Sequence, residues 1–86
     1  MLSFTDKGWK EYSAWEDEDR KTLKKIKRLM KSIDRDGPMS GEGQPEKLKN
    51  LVDTYSRRID EKNRLIYIAN AGNYTITACR GHYEED

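Results

Sequence analysis

Arg64-Leu65-Ile66-Tyr67-Ile68-Ala69, then Asn70-Ala71-Gly72-Asn73, then Tyr74-Thr75-Ile76-Thr77-Ala78-Cys79-Arg80 is the stretch whose reading decides the fold. Two runs rich in β-branched and aromatic residues flank a short polar segment containing glycine, which is the pattern of a β-hairpin. The second run alternates, as a strand with one buried face does. Working back from it, Tyr55 to Ile59 reads as a third strand, with Ser56 and Arg58 on one face and Tyr55, Arg57 and Ile59 on the other. Asp60 to Asn63 is a polar connection of hairpin length.

Upstream of the strands the period changes. Leu23, Ile26, Met30 and Ile33 recur every three or four residues with Leu29 beside them, so one stripe of a helix is apolar. Lys21, Lys24, Lys25, Lys27, Arg28 and Lys31 occupy its other sides, as a solvated face or an RNA-contacting one. Asp17 or Asp19 supplies the cap at its start, and Asp36-Gly37-Pro38 stops it. An earlier helix begins at Asp6 with Thr5 as cap, and Trp9, Tyr12 and Trp15 follow on one face. Met1-Leu2-Ser3-Phe4 alternates like a short half-buried strand. Met39 to Pro45 is turn-like, so Glu46 stands where a loop enters an extended segment. A short strand, two helices and then an antiparallel meander define an α+β fold.

Composition bounds the rest. Charged residues, at 38%, outnumber hydrophobic ones, at 34%, so the core is thin. A chain this small buries only about 60% of the surface its unfolded form exposes, and a partner subunit adds stability that the core lacks. The formal net charge of +1 hides acidic runs at Glu16 to Asp19 and Glu84 to Asp86, against basic residues from Arg20 to Lys31 and from Lys47 to Arg64. Nucleic-acid binding depends on such a local basic face, so whole-chain neutrality does not exclude it. The single cysteine, Cys79, has no intrachain partner and reads as a small core residue, which favours a reducing compartment. One His and one Cys leave a structural zinc site without a ligand set. No apolar run is long enough to span a bilayer, no leader pattern opens the chain, and a cytoplasmic location is expected.

The chemistry-bearing residues lie in the half that forms the sheet. His82, the only histidine, comes three residues after the alternating run ending at Cys79 and precedes Tyr83. Imidazole gives or takes a proton near neutrality, and Glu46 is the candidate base opposite it. Arginine binds phosphate through two parallel hydrogen bonds and offsets charge building on phosphorus. Cleavage of RNA needs these three functions around one phosphate: a base for the ribose 2′-hydroxyl, an acid for the leaving 5′-oxygen, and cations. Each residue alone has a blander reading. Glu46 suits an ordinary exposed carboxylate, Arg57-Arg58 a pair of surface charges on a strand edge, His82 a solvated tail residue and Tyr83 a ring packed over the sheet. Their concentration in one sheet favours chemistry.

Four ordered motifs, Gly41-x-Gly43-x-Pro45-Glu46-x-Leu48-Lys49, Ser56-Arg57-Arg58-Ile59, Asn63-Arg64-Leu65-Ile66-Tyr67 and Cys79-Arg80-x-His82-Tyr83, resemble those of the YoeB/Txe toxins. These belong to the RelE superfamily of toxin–antitoxin systems, and the likeness runs from about Phe4 to Tyr83. The resemblance implies a RelE-like, microbial-ribonuclease-like fold over residues 1–83, followed by an acidic tail at 84–86. It implies metal-independent cleavage of mRNA on the ribosome, with no cofactor. It also implies inhibition by a YefM-type antitoxin and pairing as a homodimer. By the same resemblance Glu46 is the general base, His82 the general acid and Arg64 the ligand of the transition-state phosphate. Lys49 and Arg58 match further positive positions near that phosphate, and Tyr83 matches a tyrosine that shapes the site. The chain departs from the family in having Tyr55 where a Trp is common, and in continuing past His82-Tyr83 with Glu84-Glu85-Asp86. Those acids leave an alternative: a catalytically weakened homologue that binds antitoxin or ribosome without cleaving. A free-standing ribonuclease is a third reading, and the resemblance to ribosome-dependent toxins weighs against it.

Overall fold

The computed structural model of the chain describes residues 1–82, and Tyr83 with the acidic tail lies outside the described residues. The described elements are β1 (Leu2–Phe4), α1 (Asp6–Glu18), α2 (Arg20–Asp36), β2 (Glu46–Lys47), β3 (Thr54–Arg58), β4 (Arg64–Asn70) and β5 (Asn73–Ala78). The strands form one five-stranded sheet in the order β1-β5-β4-β3-β2. The meander β3-β4-β5 is antiparallel, as its turns require, and β2 adds to its outer edge antiparallel to β3. β1 closes the other edge by pairing parallel to β5, with Leu2 opposite Tyr74 and Phe4 opposite Ile76, so the sheet is mixed.

The caps explain the helix limits. Thr5 Oγ1 accepts the N–H of Gly8 at 3.1 Å and opens α1. Asp19 both closes α1, donating its N–H to Trp15 O at 2.9 Å, and opens α2 by accepting the N–H groups of Lys21 and Thr22 at 3.0 and 3.3 Å. Of the two acids proposed as the second cap, it is Asp19. Gly37 ends α2 with its N–H on Ile33 O at 3.0 Å. Gly8 is buried, and a β-carbon there would stand 2.3 Å from Ile76 O, so glycine lets α1 lie directly on β5.

Both helices cover one face of the sheet. Leu23, Ile26, Leu29 and Ile33 of α2 meet Leu65 and Tyr67 of β4 and Tyr74 and Ile76 of β5, with Trp15, Ile59 and Cys79 completing the core. Each fully buried Ile or Leu contributes about 1.5–3 kcal/mol, which makes the α2 stripe the main apolar support. The aromatic face expected for α1 divides. Trp15 is buried and its indole N–H reaches Cys79 O at 2.9 Å, whereas Trp9 remains 55% exposed and stacks on Tyr12 beside Phe4. A three-residue step falls short of a full turn by about 60°, so two steps carry Trp15 roughly 120° around the helix from Trp9.

Candidate active site

The opposite face of the sheet holds a cleft of about 340 Å³ lined by Glu46, Lys47, Leu48, Lys49, Ser56, Arg64 and His82. Glu46 begins β2 and stands opposite Ser56 in the β2–β3 register. Its Oε1 accepts the buried Ser56 hydroxyl at 3.4 Å and faces Nη1 of Arg64, also at 3.4 Å. Arg64 begins β4, two strands in from the edge, and its side chain is largely covered while that of Glu46 is mostly exposed. A carboxylate, a guanidinium and an imidazole therefore converge on one opening, with two lysines on its wall.

The loop that delivers Glu46 is held from inside. Arg57 is fully buried, a correction to its reading as one of two surface charges. Its guanidinium donates to the carbonyls of Gly37, Ser40 and Glu42 at 2.7, 2.6 and 2.7 Å, to Ser32 Oγ at 3.0 Å and to Tyr67 Oη at 2.9 Å. Tyr67 in turn donates to Pro38 O at 2.6 Å. Backbone carbonyls thus satisfy most of the buried cation's donors, with the Asp36 carboxylate near enough to act on its charge. Gly41 and Gly43 make the close approach feasible: both have positive φ, and a β-carbon at Gly43 would lie 2.7 Å from Leu29 Cδ2. On the outside, Glu42 pairs with Arg28 and, at 3.2 Å, with Lys25, which in that order hold its carboxyl below the usual range.

His82 is held by different parts. Cys79 donates its N–H to Glu11 Oε1 at 2.8 Å and accepts from Trp15. Arg80 lies 4.1 Å over the Trp15 ring and bonds Glu18 at 2.6 Å. Gly81 donates to Asn63 Oδ1 at 2.8 Å and accepts the Arg64 N–H at 3.0 Å. The His82 ring meets Glu61 O through Nε2 at 2.7 Å. The Cys79 thiol is buried; burial, then the Glu11 charge, pushes its pKa up to about 12, so it stays a neutral thiol.

Of the residues singled out in the sequence, Glu46, Lys49, Arg64 and His82 share the cleft. Arg58 stands instead in a separate groove with Lys25, Gly43, Gln44 and Ile59. Tyr83 lies outside the described residues. Sequence reading missed Lys47, Leu48 and Ser56 on the cleft wall. The signal for Ser56 was its place on the same strand face as Arg58, and that for Lys47 was adjacency to Glu46. Among the described residues no group of three or more His, Cys, Asp or Glu side chains is arranged to hold a metal ion. No described helix is long and apolar enough to cross a membrane.

A small mixed sheet backed by two helices, with a carboxylate, an imidazole and an arginine on its open side, is the architecture of a RelE-like toxin. Residues 4–83 match the family of YoeB-like toxins of bacterial type II toxin–antitoxin systems. The chain is 43% identical over 83 residues to toxin YoeB of Streptomyces coelicolor, covering 95% of this chain and 98% of that one. Among solved structures, the YoeB dimer from Staphylococcus aureus superposes with a TM-score of 0.89 at 42% identity, covering 95% of each chain. The heterotetrameric YoeB–YefM complex from the same organism gives 0.88 at 42% identity, over 96% of this chain and 97% of that one. The chain belongs to the YoeB family and is the toxin of a type II toxin–antitoxin system.

Proposed function

We propose that this toxin is a ribosome-dependent mRNA endoribonuclease working by metal-independent acid–base catalysis. The convergence of Glu46, Arg64 and His82 on one cleft carries this reading. Glu46 takes the proton from a ribose 2′-hydroxyl, whose oxygen attacks the adjacent phosphorus. His82 gives a proton to the departing 5′-oxygen, and Arg64 neutralises charge on the phosphoryl oxygens as the bond to phosphorus breaks. The products are a 2′,3′-cyclic phosphate, or the 3′-phosphate after its hydrolysis, and a 5′-hydroxyl. Lys49 on the cleft wall and Arg58 in its separate groove hold flanking phosphates, and Tyr83, directly after His82, shapes the site. When RNA arrives, its phosphate takes the place of Glu46 as partner of Arg64.

A YefM-type antitoxin is the proposed inhibitor and a second copy the proposed dimer partner. The Staphylococcus aureus relative is seen both as a YoeB dimer and as a heterotetrameric YoeB–YefM complex, and its likeness to this chain is nearly end to end. Action on translating ribosomes places the toxin in the cytoplasm.

Primer extension on an mRNA incubated with and without ribosomes tests the reading. Cleavage is expected only with ribosomes, and Glu46→Ala or His82→Ala should reduce it by roughly 10²–10⁴-fold, the range for positioned acid–base groups. Parental rates in both variants, or equal cleavage of free RNA, would refute it. Binding without cleavage by the parental toxin would establish the weakened-homologue alternative.

A further inference from the structure

We infer that Asn63 is a positioning residue for His82: its side-chain amide locks the backbone that carries the imidazole to the turn beneath it. The inference rests on the reading of His82 as general acid.

The turn between β3 and β4 is built around Asp60. Its Oδ1 accepts the N–H groups of Lys62 and Asn63, both at 2.8 Å, and the Ile59 N–H bonds Asn63 O at 3.0 Å. The Asn63 amide nitrogen then donates to both Asp60 oxygens at 3.1 Å. That leaves its oxygen facing Gly81, whose N–H it accepts at 2.8 Å. The direction of the amide is fixed by chemistry. An ionised carboxylate only accepts and a backbone N–H only donates, so a flipped Asn63 would lose both contacts.

Two more bonds register the same segment on the same turn. The Arg64 N–H meets Gly81 O at 3.0 Å, and Glu61 O meets His82 Nε2 at 2.7 Å. A carbonyl only accepts, so Nε2 carries a hydrogen in this arrangement and Nδ1 is the nitrogen left to others. Asn63 sits between the residue that starts this chain of contacts, Asp60, and the imidazole that ends it. Its neighbour Arg64 carries the proposed phosphate ligand, so one turn sets both groups relative to each other. These bonds are solvent-exposed and compete with water, so they add little to global stability. What they supply is geometry, and misplacing a reacting group by about 1 Å costs on the order of 10²-fold in rate.

The test is single-turnover cleavage of ribosome-bound mRNA together with NMR of the toxin, whose one histidine and Gly81 amide give assignable signals. Asn63→Leu should lower the cleavage rate roughly 10–100-fold with little change in the concentration for half-maximal rate. The Gly81 amide and the His82 ring nitrogens should shift, while the thermal midpoint stays close to the parent. Asn63→Asp alone should be impaired, since it repels Asp60. Asp60→Asn with Asn63→Asp exchanges donor and acceptor across the pair and should recover most of the rate and both NMR signals, a rescue that general loss of folding cannot produce. Parental cleavage by Asn63→Leu, alongside an impaired His82→Ala, would overturn the positioning role alone. Parental cleavage by His82→Ala would overturn the nuclease assignment, and the role of Asn63 with it. No rescue in the double variant would also overturn it.

Discussion

The two walls of the cleft are held in opposite ways. The Glu46 wall hangs on Arg57, a buried cation clamped by main-chain carbonyls from Gly37, Ser40 and Glu42. The His82 wall is anchored at Cys79 by the buried Trp15 N–H and by Glu11, but past Cys79 it hangs on bonds nearer the surface, from Asn63, Arg80 and the Glu18 carboxylate. Interior ties couple Glu46 to the stability of the whole fold, whereas surface ties set the place of His82 without underwriting the fold. The toxin thus gains one wall that cannot shift without partial unfolding and another that substitution can displace while the protein stays folded.

The sharpest way to break this comparison is Arg57→Leu. It strands buried carbonyls and the Ser32 and Tyr67 hydroxyls, and should cost about 3–5 kcal/mol, the range for dismantling a buried ionic network. A urea midpoint falling accordingly, with Arg58→Leu within about 0.5 kcal/mol of the parent, would mark the two adjacent arginines as opposites. A loss under about 1 kcal/mol for Arg57→Leu would mean the clamp is not what holds the loop. Gly43→Ala should follow at roughly 1–3 kcal/mol, because its backbone is in the left-handed region, at φ 95°, and the added carbon meets Leu29. On the other wall, Arg80→Ala removes a cation over Trp15 and a half-exposed ion pair, and should cost only about 0.5–1 kcal/mol. Equal losses on both walls, read by the same urea titration, would erase the distinction.

How much of this was legible in the sequence follows from how local each cause is. Thr5, Asp19 and Gly37 punctuate the helices through bonds to residues only a few positions away, and the Asn70-Ala71-Gly72-Asn73 turn does the same for the hairpin. Glu46, Arg64 and His82 were readable as a set because the first two begin strands and the third follows shortly after one, and strand ends of one sheet cluster in space. The parallel pairing of β1 with β5 was not readable, since Leu2 and Tyr74 meet across nearly the whole chain with no turn to announce it. Nor was the burial of Arg57. Alternation did place it on one face with Tyr55 and Ile59, but its partners are backbone carbonyls of a glycine-rich loop, and carbonyls have no sequence signature. The tie from Glu11 to the Cys79 N–H is hidden for the same reason.

The smallest expected effect uses acid to separate the walls, because each contains one carboxyl held below the ordinary Asp value of 3.8. At Asp36 the cause is first the Arg35 guanidinium and then the Ser32 hydroxyl. At Asp60 burial pushes upward, but the N–H of Lys62 and the side chain and N–H of Asn63 outweigh it. A carboxyl whose pKa is lower folded than unfolded adds stability that is fully present above the unfolded value and disappears as pH falls through the folded one. Both contributions are therefore complete at neutrality and fade only below about pH 4. The consequences differ. Protonating Asp60 leaves one carboxyl oxygen to accept but weakens the charge-assisted hold on the Asn63 amide, so the Gly81 N–H meets a less firmly oriented partner. Protonating Asp36 leaves Ser32 still bonded to Arg57 and to the Glu42 N–H, so the Glu46 loop keeps its clamp. An NMR acid titration should then show the Gly81 amide moving while the buried Arg57 Nε–H signal stays at its folded position, with Asp60→Asn abolishing the Gly81 step. If both signals moved together, at one pH and in both proteins, the walls would be a single cooperative unit and Asn63 would have no separate hold on His82.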